Sequence, residues 1–269
     1  MTDTAPRLIG LGLVELDLLC THAGVAAPFP LQVPSFGRIE GERAVLLAAA
    51  GETLRARGLA DEDGPLGVAA DLVTALRDYR GAVDLVLVGR DSVIGAVALV
   101  HGSTAVLCVQ TTAVDAEQPG TVEVRKVAHT ALADELVAVV PEVAAAVSMP
   151  ITLPPGVLAP ADRRPPSQDD GVVEQHLRVM VRDRGGDPSV LDQLAKLLPT
   201  LSGRGQLGAT RREENEVTRA GTELSWLDGP QGRVTVSRTD DGWVSVNPLR
   251  PADLRFALDR FAMTARSSR

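Results

Sequence analysis

Aromatic residues are scarce in this 269-residue chain: four Phe, two Trp and one Tyr, 3% of the total. The core must therefore be built from Leu, Val and Ala, and few rings are left to stack on bases or sugars. Cationic charge is also in deficit. Lys plus Arg is 27 against 35 for Asp plus Glu, a formal net charge of −8. Nucleic-acid affinity comes from cationic side chains on phosphates, so no nucleic-acid partner is expected. The Arg163-Arg164 and Arg211-Arg212 pairs are too short to make a basic stripe. The two cysteines, Cys20 and Cys108, sit among apolar residues outside any CxxC or Cys/His cluster, and read as small buried hydrophobes. No apolar run reaches about 18 residues, so no membrane span is expected. MTDTAPRLIG lacks a basic stretch followed by an apolar run, so no signal peptide is expected either. These absences point to a reduced, cytoplasmic, soluble protein.

Catalytic signatures are missing too. His22, His101, His129 and His176 lack a second histidine or a carboxylate at metal spacing. There is no HExxH, GxSxG elbow or GxxxxGK[ST] loop. Gly203-Arg-Gly205-Gln-Leu-Gly208 is a literal GxGxxG, but a helical pattern precedes it and no βαβ unit surrounds it. It reads as a glycine-rich entry into a strand rather than a dinucleotide site. The acidic clusters Asp61-Glu-Asp63 and Asp240-Asp241 lack the ligand count of a calcium loop. The expectation is no enzyme, no cofactor and no metal.

What is present is an ordinary globular composition, 45% apolar and 23% charged. Six prolines between Pro150 and Pro166 mark residues 148–171 as a connector that is neither helix nor central strand. It joins halves at about 8–147 and 172–264 within one domain spanning 1–269. In the first half, Leu13, Leu16 and Cys20 share a helical face. Glu42 to Arg57 forms a second helix closed by Gly58, and Asp71 to Tyr79 a third. Val83–Val88, Val93–Val100, Thr104–Val109 and Thr121–Val127 then read as strands, followed by a helix through Leu132, Leu136 and Val139 that stops at Pro141. After the connector, Val173, Leu177 and Met180 define one amphipathic helix, and Leu191, Leu194 and Leu198 another. Strands follow at Gln206–Arg212, Thr222–Leu227, Arg233–Arg238 and Trp243–Val246. A last helix carries Leu254, Leu258 and Phe261.

The two series match. Adding 122 carries Gly120, Val122, Val124, Leu132 and Leu136 onto Gly242, Val244, Val246, Leu254 and Leu258. The middle strands need 128, so the first copy carries a loop six residues longer (128 − 122) at Thr111–Pro119. A duplicated strand meander leaves an open edge in each half unless the halves join. The expected fold is α+β: a central antiparallel sheet from two duplicated meander–helix halves in pseudo-twofold arrangement, flanked by two helical bundles.

Several motifs then converge. Val33-Pro-Ser-Phe-Gly37 with Glu40-Gly-Glu-Arg43, Leu54-Arg-Ala-Arg-Gly-Leu-Ala-Asp61, Ser202-Gly-Arg-Gly-Gln-Leu-Gly208, and Trp226-Leu-Asp228 with Gly232-Arg233 and Asp241-Gly-Trp-Val244 occur in an order that resembles the EspG family. These are the cytosolic chaperones of actinobacterial type VII (ESX) secretion, and the resemblance runs from about residue 8 to 262. Val234 departs from it, standing where tyrosine is common. The resemblance implies binding, without chemistry, to the helical tip of a PE–PPE-like secreted heterodimer, which is kept soluble and export-competent. It also implies that the sheet and the C-terminal bundle make the contact. Candidate contacts on this chain are Val173, Leu177, Met180, Gln206, Leu224 and Trp226. Asp115 and Glu117, in the longer loop, are candidates for partner selectivity. When free of its partner the chain is a candidate homodimer. An unrecognised enzyme, or an oligomer-forming structural protein of the same α+β fold, remain the alternatives.

Overall fold

The computed structural model describes residues 8–37, 40–147, 150–155, 170–213 and 216–267. The chain is α+β, with seven α-helices among the described residues and a large antiparallel sheet. It divides into two compact units. One takes the chain up to Pro141, Gly205–Glu223 and everything from Arg255; the other takes Glu142–Arg204 and Leu224–Leu254.

The first unit begins with strand β1 (Ile9–Leu11) and helix α1 (Leu13–Ala23). Leu16, Leu19, Cys20 and Ala23 recur at helical spacing and are all buried. The Glu15 carboxylate accepts the Gly12 amide at 2.7 Å, closing half of a capping box. Gly24, at φ +72°, ends the helix in the left-handed region. Helix α2 (Glu40–Ala56) is tied to α1 at both ends. Arg43 forks onto Asp17 at 2.6 and 2.9 Å, and Arg57, just past the helix, reaches Glu15 at 2.8 Å. Helix α3 (Val68–Asp78) buries Ala69, Leu72, Val73 and Leu76.

Strands β2 (Gly81–Val88), β3 (Ser92–His101), β4 (Thr104–Ala113) and β5 (Val122–Ala128) form the expected meander. Val97, Leu99, Val106, Cys108, Val122 and Val124 alternate onto the face that meets α1 and α3. Residues of the other parity, such as Ala96, Ala98 and Leu107, are fully buried as well, so these strands are covered on both faces. Helix α4 is short, Leu132–Val137, and stops before Val139. Strand β7 (Gly203–Glu213) lies beside β2, and β8 (Glu216–Arg219) pairs with its end, giving the order β1-β5-β4-β3-β2-β7. The final helix, α7 (Pro251–Arg266), meets the start of β2. A Cβ on Gly81 would stand 2.5 Å from the Ala265 carbonyl oxygen.

The second unit holds strand β6 (Ile151–Leu153), helices α5 (Asp170–Asp183) and α6 (Ser189–Leu197), and strands β9 (Leu224–Gly229), β10 (Gly232–Arg238) and β11 (Val244–Pro248). Its strand order is β9-β10-β11-β6. The core gathers Leu153, Val181, Val190, Leu194, Val234, Val244 and Val246.

Three expectations change in detail. The proline-rich stretch contains an edge strand, β6, where Leu153 pairs with Val244 and Ile151 with Val246. Its far end is already helical at Asp170, while 156–169 lie outside the described residues. Strand β4 runs to Ala113, four residues past Val109, so the longer loop is 114–121. The glycines 203, 205 and 208 sit within β7, as a strand entry requires.

Candidate partner-binding site

In the first unit, β2 reads GAVDLVLV, and Asp84 is its one charged residue. Pairing on both sides holds this strand in the middle of the sheet, so the Asp84 carboxylate is 5% exposed. Arg219, at the end of β8, reaches it at 2.5 Å and also binds Glu223 at 3.2 Å. The guanidinium of Arg219 lies 5.6 Å over the Phe29 ring. Together these groups bound a cavity of about 280 Å³, with Phe29, Tyr79, Asp84, Leu99, Val217 and Arg219 among its walls. Burial is the largest influence on the Asp84 carboxyl and raises its pKa above the ordinary aspartate value; the Arg219 hydrogen bond and charge oppose it. The Tyr79 phenol is also pushed up, mainly by burial, against the charge of Arg212.

Gly208 leaves the space this cluster needs. A Cβ there would stand 2.6 Å from an Arg219 nitrogen and 3.2 Å from Asp84 Oδ1. The last glycine of the GxGxxG pattern thus serves an ion pair in place of a phosphate. Asp84, Arg219 and Phe29 were not foreseen as a group. The readable signal was a lone carboxylate inside an apolar strand.

Of the expected contact residues in this unit, Gln206 is exposed on β7 and donates to the Glu223 carboxylate. Asp115 and Glu117 are exposed on the β4–β5 loop, beside Val114, which is 58% exposed. In the order β4-β3-β2-β7, three strand spacings, about 14 Å, separate that loop's strand from the one bearing Gln206. The structure does not bring these residues into one cluster.

In the second unit, Trp226 is 1% exposed and offers no surface to a partner; its ring is part of the interior. Arg233, 3% exposed, stacks on it at 5.4 Å and forks onto Asp228 at 2.6 and 2.9 Å. The buried Trp226 Nε1 has no hydrogen-bond acceptor among the described residues. Leu177 and Met180 are half-buried against the core, and among the described side chains of α5 Val181 is fully buried. Val173 lies on α5, but its side chain is outside the described residues. Leu224 is half-buried at the start of β9.

The described residues contain no cluster of three or more His, Cys, Asp or Glu able to hold a metal ion. No helix among them is long and apolar enough to cross a membrane. Both cysteines are buried as expected. Burial pushes the Cys20 thiol up to about 11 and that of Cys108 to about 12.

No curated protein sequence matches this chain significantly. Among solved structures, the type VII secretion system chaperone EspG5 of Mycobacterium tuberculosis, solved in complex with the PE25–PPE41 dimer, is similar. It aligns with TM-score 0.64 at 13% identity, over 96% of either chain. HtdX of the same organism aligns over 89% of this chain and 98% of its own at 9% identity, with a TM-score of only 0.15. The EspG family model matches residues 13–260, nearly the full chain, and the chain belongs to the EspG family.

Proposed function

We propose that this protein is a cytoplasmic, non-catalytic chaperone of type VII secretion. It binds the helical tip of a PE–PPE-like secreted heterodimer and keeps that pair soluble and export-competent. Family membership across residues 13–260 carries the reading. The shared fold with EspG5, itself solved with a PE–PPE dimer, supports it. The physical basis is burial of apolar surface, at about 25 cal/mol per Å². Of the expected contacts, Gln206, Asp115 and Glu117 are exposed, and Leu177, Met180 and Leu224 are partly so. Deletion within the β4–β5 loop is proposed to change partner choice.

We also read the chain as a duplication with pseudo-twofold symmetry. Strand β7 starts 122 residues after β2 (203 − 81), β11 starts 122 after β5 (244 − 122), and β10 starts 128 after β4 (232 − 104). The short strand opening each half pairs antiparallel with the fourth meander strand: β1 with β5 and β6 with β11. Superposing residues 9–137 on 151–259 in an experimental structure tests it. Failure of the strands to align at these offsets overturns the duplication.

The functional test is co-expression with PE–PPE heterodimers from the same genome, followed by affinity purification and size exclusion. A stoichiometric three-chain complex is expected. Its absence for every pair, with the chaperone folded, refutes the reading.

A further inference from the structure

We infer that the cavity floored by Asp84 is a socket for one lysine or arginine side chain projecting from a protein partner. Only the identity of that partner rests on the function proposed above.

Charge count comes first. Two carboxylates, Asp84 and Glu223, share one guanidinium, that of Arg219. The cluster is therefore one negative charge in excess. Arg212, stacked on Tyr79 at 5.1 Å, gives its NH1 to the carbonyls of Leu76 and Arg77. It is committed to the end of α3. A cation entering the cavity meets a carboxylate already stripped of water, where an opposite charge is worth most.

Shape and surface agree with the count. The cavity's 280 Å³ matches roughly nine waters by volume, enough for a long side chain. Its walls include Pro28, Ala82, Val97 and Leu99, which suit the methylene stem of a lysine or arginine. Phe29 holds the Arg219 guanidinium over its face, so the rim presents an aromatic surface of the kind that accepts a cation.

The rim decides the source. Phe29 is 61% exposed and Val217 49% exposed, and both line the same cavity. A free small amine would leave these apolar side chains wet. A protein surface that delivers the cation would cover them.

Two arms test the socket on the full chain. In the first, butylguanidinium chloride is titrated into isotope-labelled protein and followed by NMR, with butanol and butyrate as controls. Saturable shifts at Asp84, Val217 and Phe29 are expected from butylguanidinium alone. Asp84→Asn should weaken them at least tenfold, and Arg219→Gln, which frees both carboxylates, should tighten them. Equal response to butanol, or to Asp84→Asn protein, overturns the socket even if Arg219→Gln fails to fold. In the second arm, affinity for a bound PE–PPE dimer should fall at least tenfold in Asp84→Asn and in Phe29→Ser. Unchanged dimer affinity in both variants, alongside tight butylguanidinium binding, overturns the protein source in favour of a small free amine. A chain that binds no dimer refutes the proposed function, and butylguanidinium then decides the socket by itself.

Discussion

Removing the Asp228 carboxylate probes how the second unit tolerates a buried cation. Arg233 is 3% exposed, and its guanidinium is held by a two-point contact to Asp228 at 2.6 and 2.9 Å. Breaking a buried pair by deleting one member costs about 3–5 kcal/mol, because the surviving charge stays out of water. The stack on Trp226 at 5.4 Å retains part of the stabilisation, since a desolvated cation over a ring is worth about 2 kcal/mol. Asp228→Ala should therefore sit at the lower end, about 3 kcal/mol. With a slope of about 2 kcal/mol per molar urea, the midpoint falls by about 1.5 M. The assay is intrinsic fluorescence. Both tryptophans, Trp226 and Trp243, belong to the second unit, so the signal reports its unfolding. The double variant Asp228→Ala/Arg233→Met removes the buried guanidinium as well and should return to within about 1 kcal/mol of the parent. A midpoint loss below about 0.5 M for Asp228→Ala, or no recovery in the double variant, refutes the reasoning.

The raised Asp84 carboxyl makes a prediction of opposite sign. The folded chain binds that proton more tightly than the unfolded chain, so its contribution to stability falls as pH rises through the raised value. Asp84→Asn lacks that pH dependence, so its stability relative to the parent should rise as the pH goes from 4 to 7; a difference that stays constant or falls over that range would contradict it. At pH 8 the native thiols should resist a disulfide reagent. With Cys20 near 11, only about one part in a thousand is thiolate, and full labelling should require denaturant. Rapid labelling of folded protein would show that burial does not control them. Deleting Asp115–Gln118, all exposed, should move the melting temperature by no more than about 2 °C while altering which dimer is bound. Unchanged partner choice would remove the loop from selectivity.

The sequence was most legible where periodicity runs long. Leu13, Leu16 and Cys20 announce α1, and the β-branched runs from Val83 to Val127 announce four strands. Strands β1, β6 and β8 have three, three and four residues, too few for alternation to register. β6 also stands among prolines, which an edge strand tolerates because its outer amides need no partner. The candidate site was less legible. Trp226 reads as a surface anchor by residue type, yet the Arg233 guanidinium and the β9–β10 pairing bury it. Asp84 and Arg219 lie 135 positions apart, and no local pattern links residues that only the sheet brings together.

The interleaving of the two units sets an order of assembly during synthesis. The second unit draws on nothing beyond Leu254, whereas the first lacks Gly205–Glu223 and the helix from Arg255 until late. Its closing contacts span long stretches of chain: Arg212 to Leu76 across 136 positions and Arg255 to Asp134 across 121. Such distant pairings form slowly, because the intervening loop must be closed before they return any stability. The N-terminal helices and meander therefore stay one strand and one helix short until the segments through Glu223 and Arg266 have been made. The nascent chain exposes the β2 edge from the end of β2 until β7 begins, 115 residues later (203 − 88).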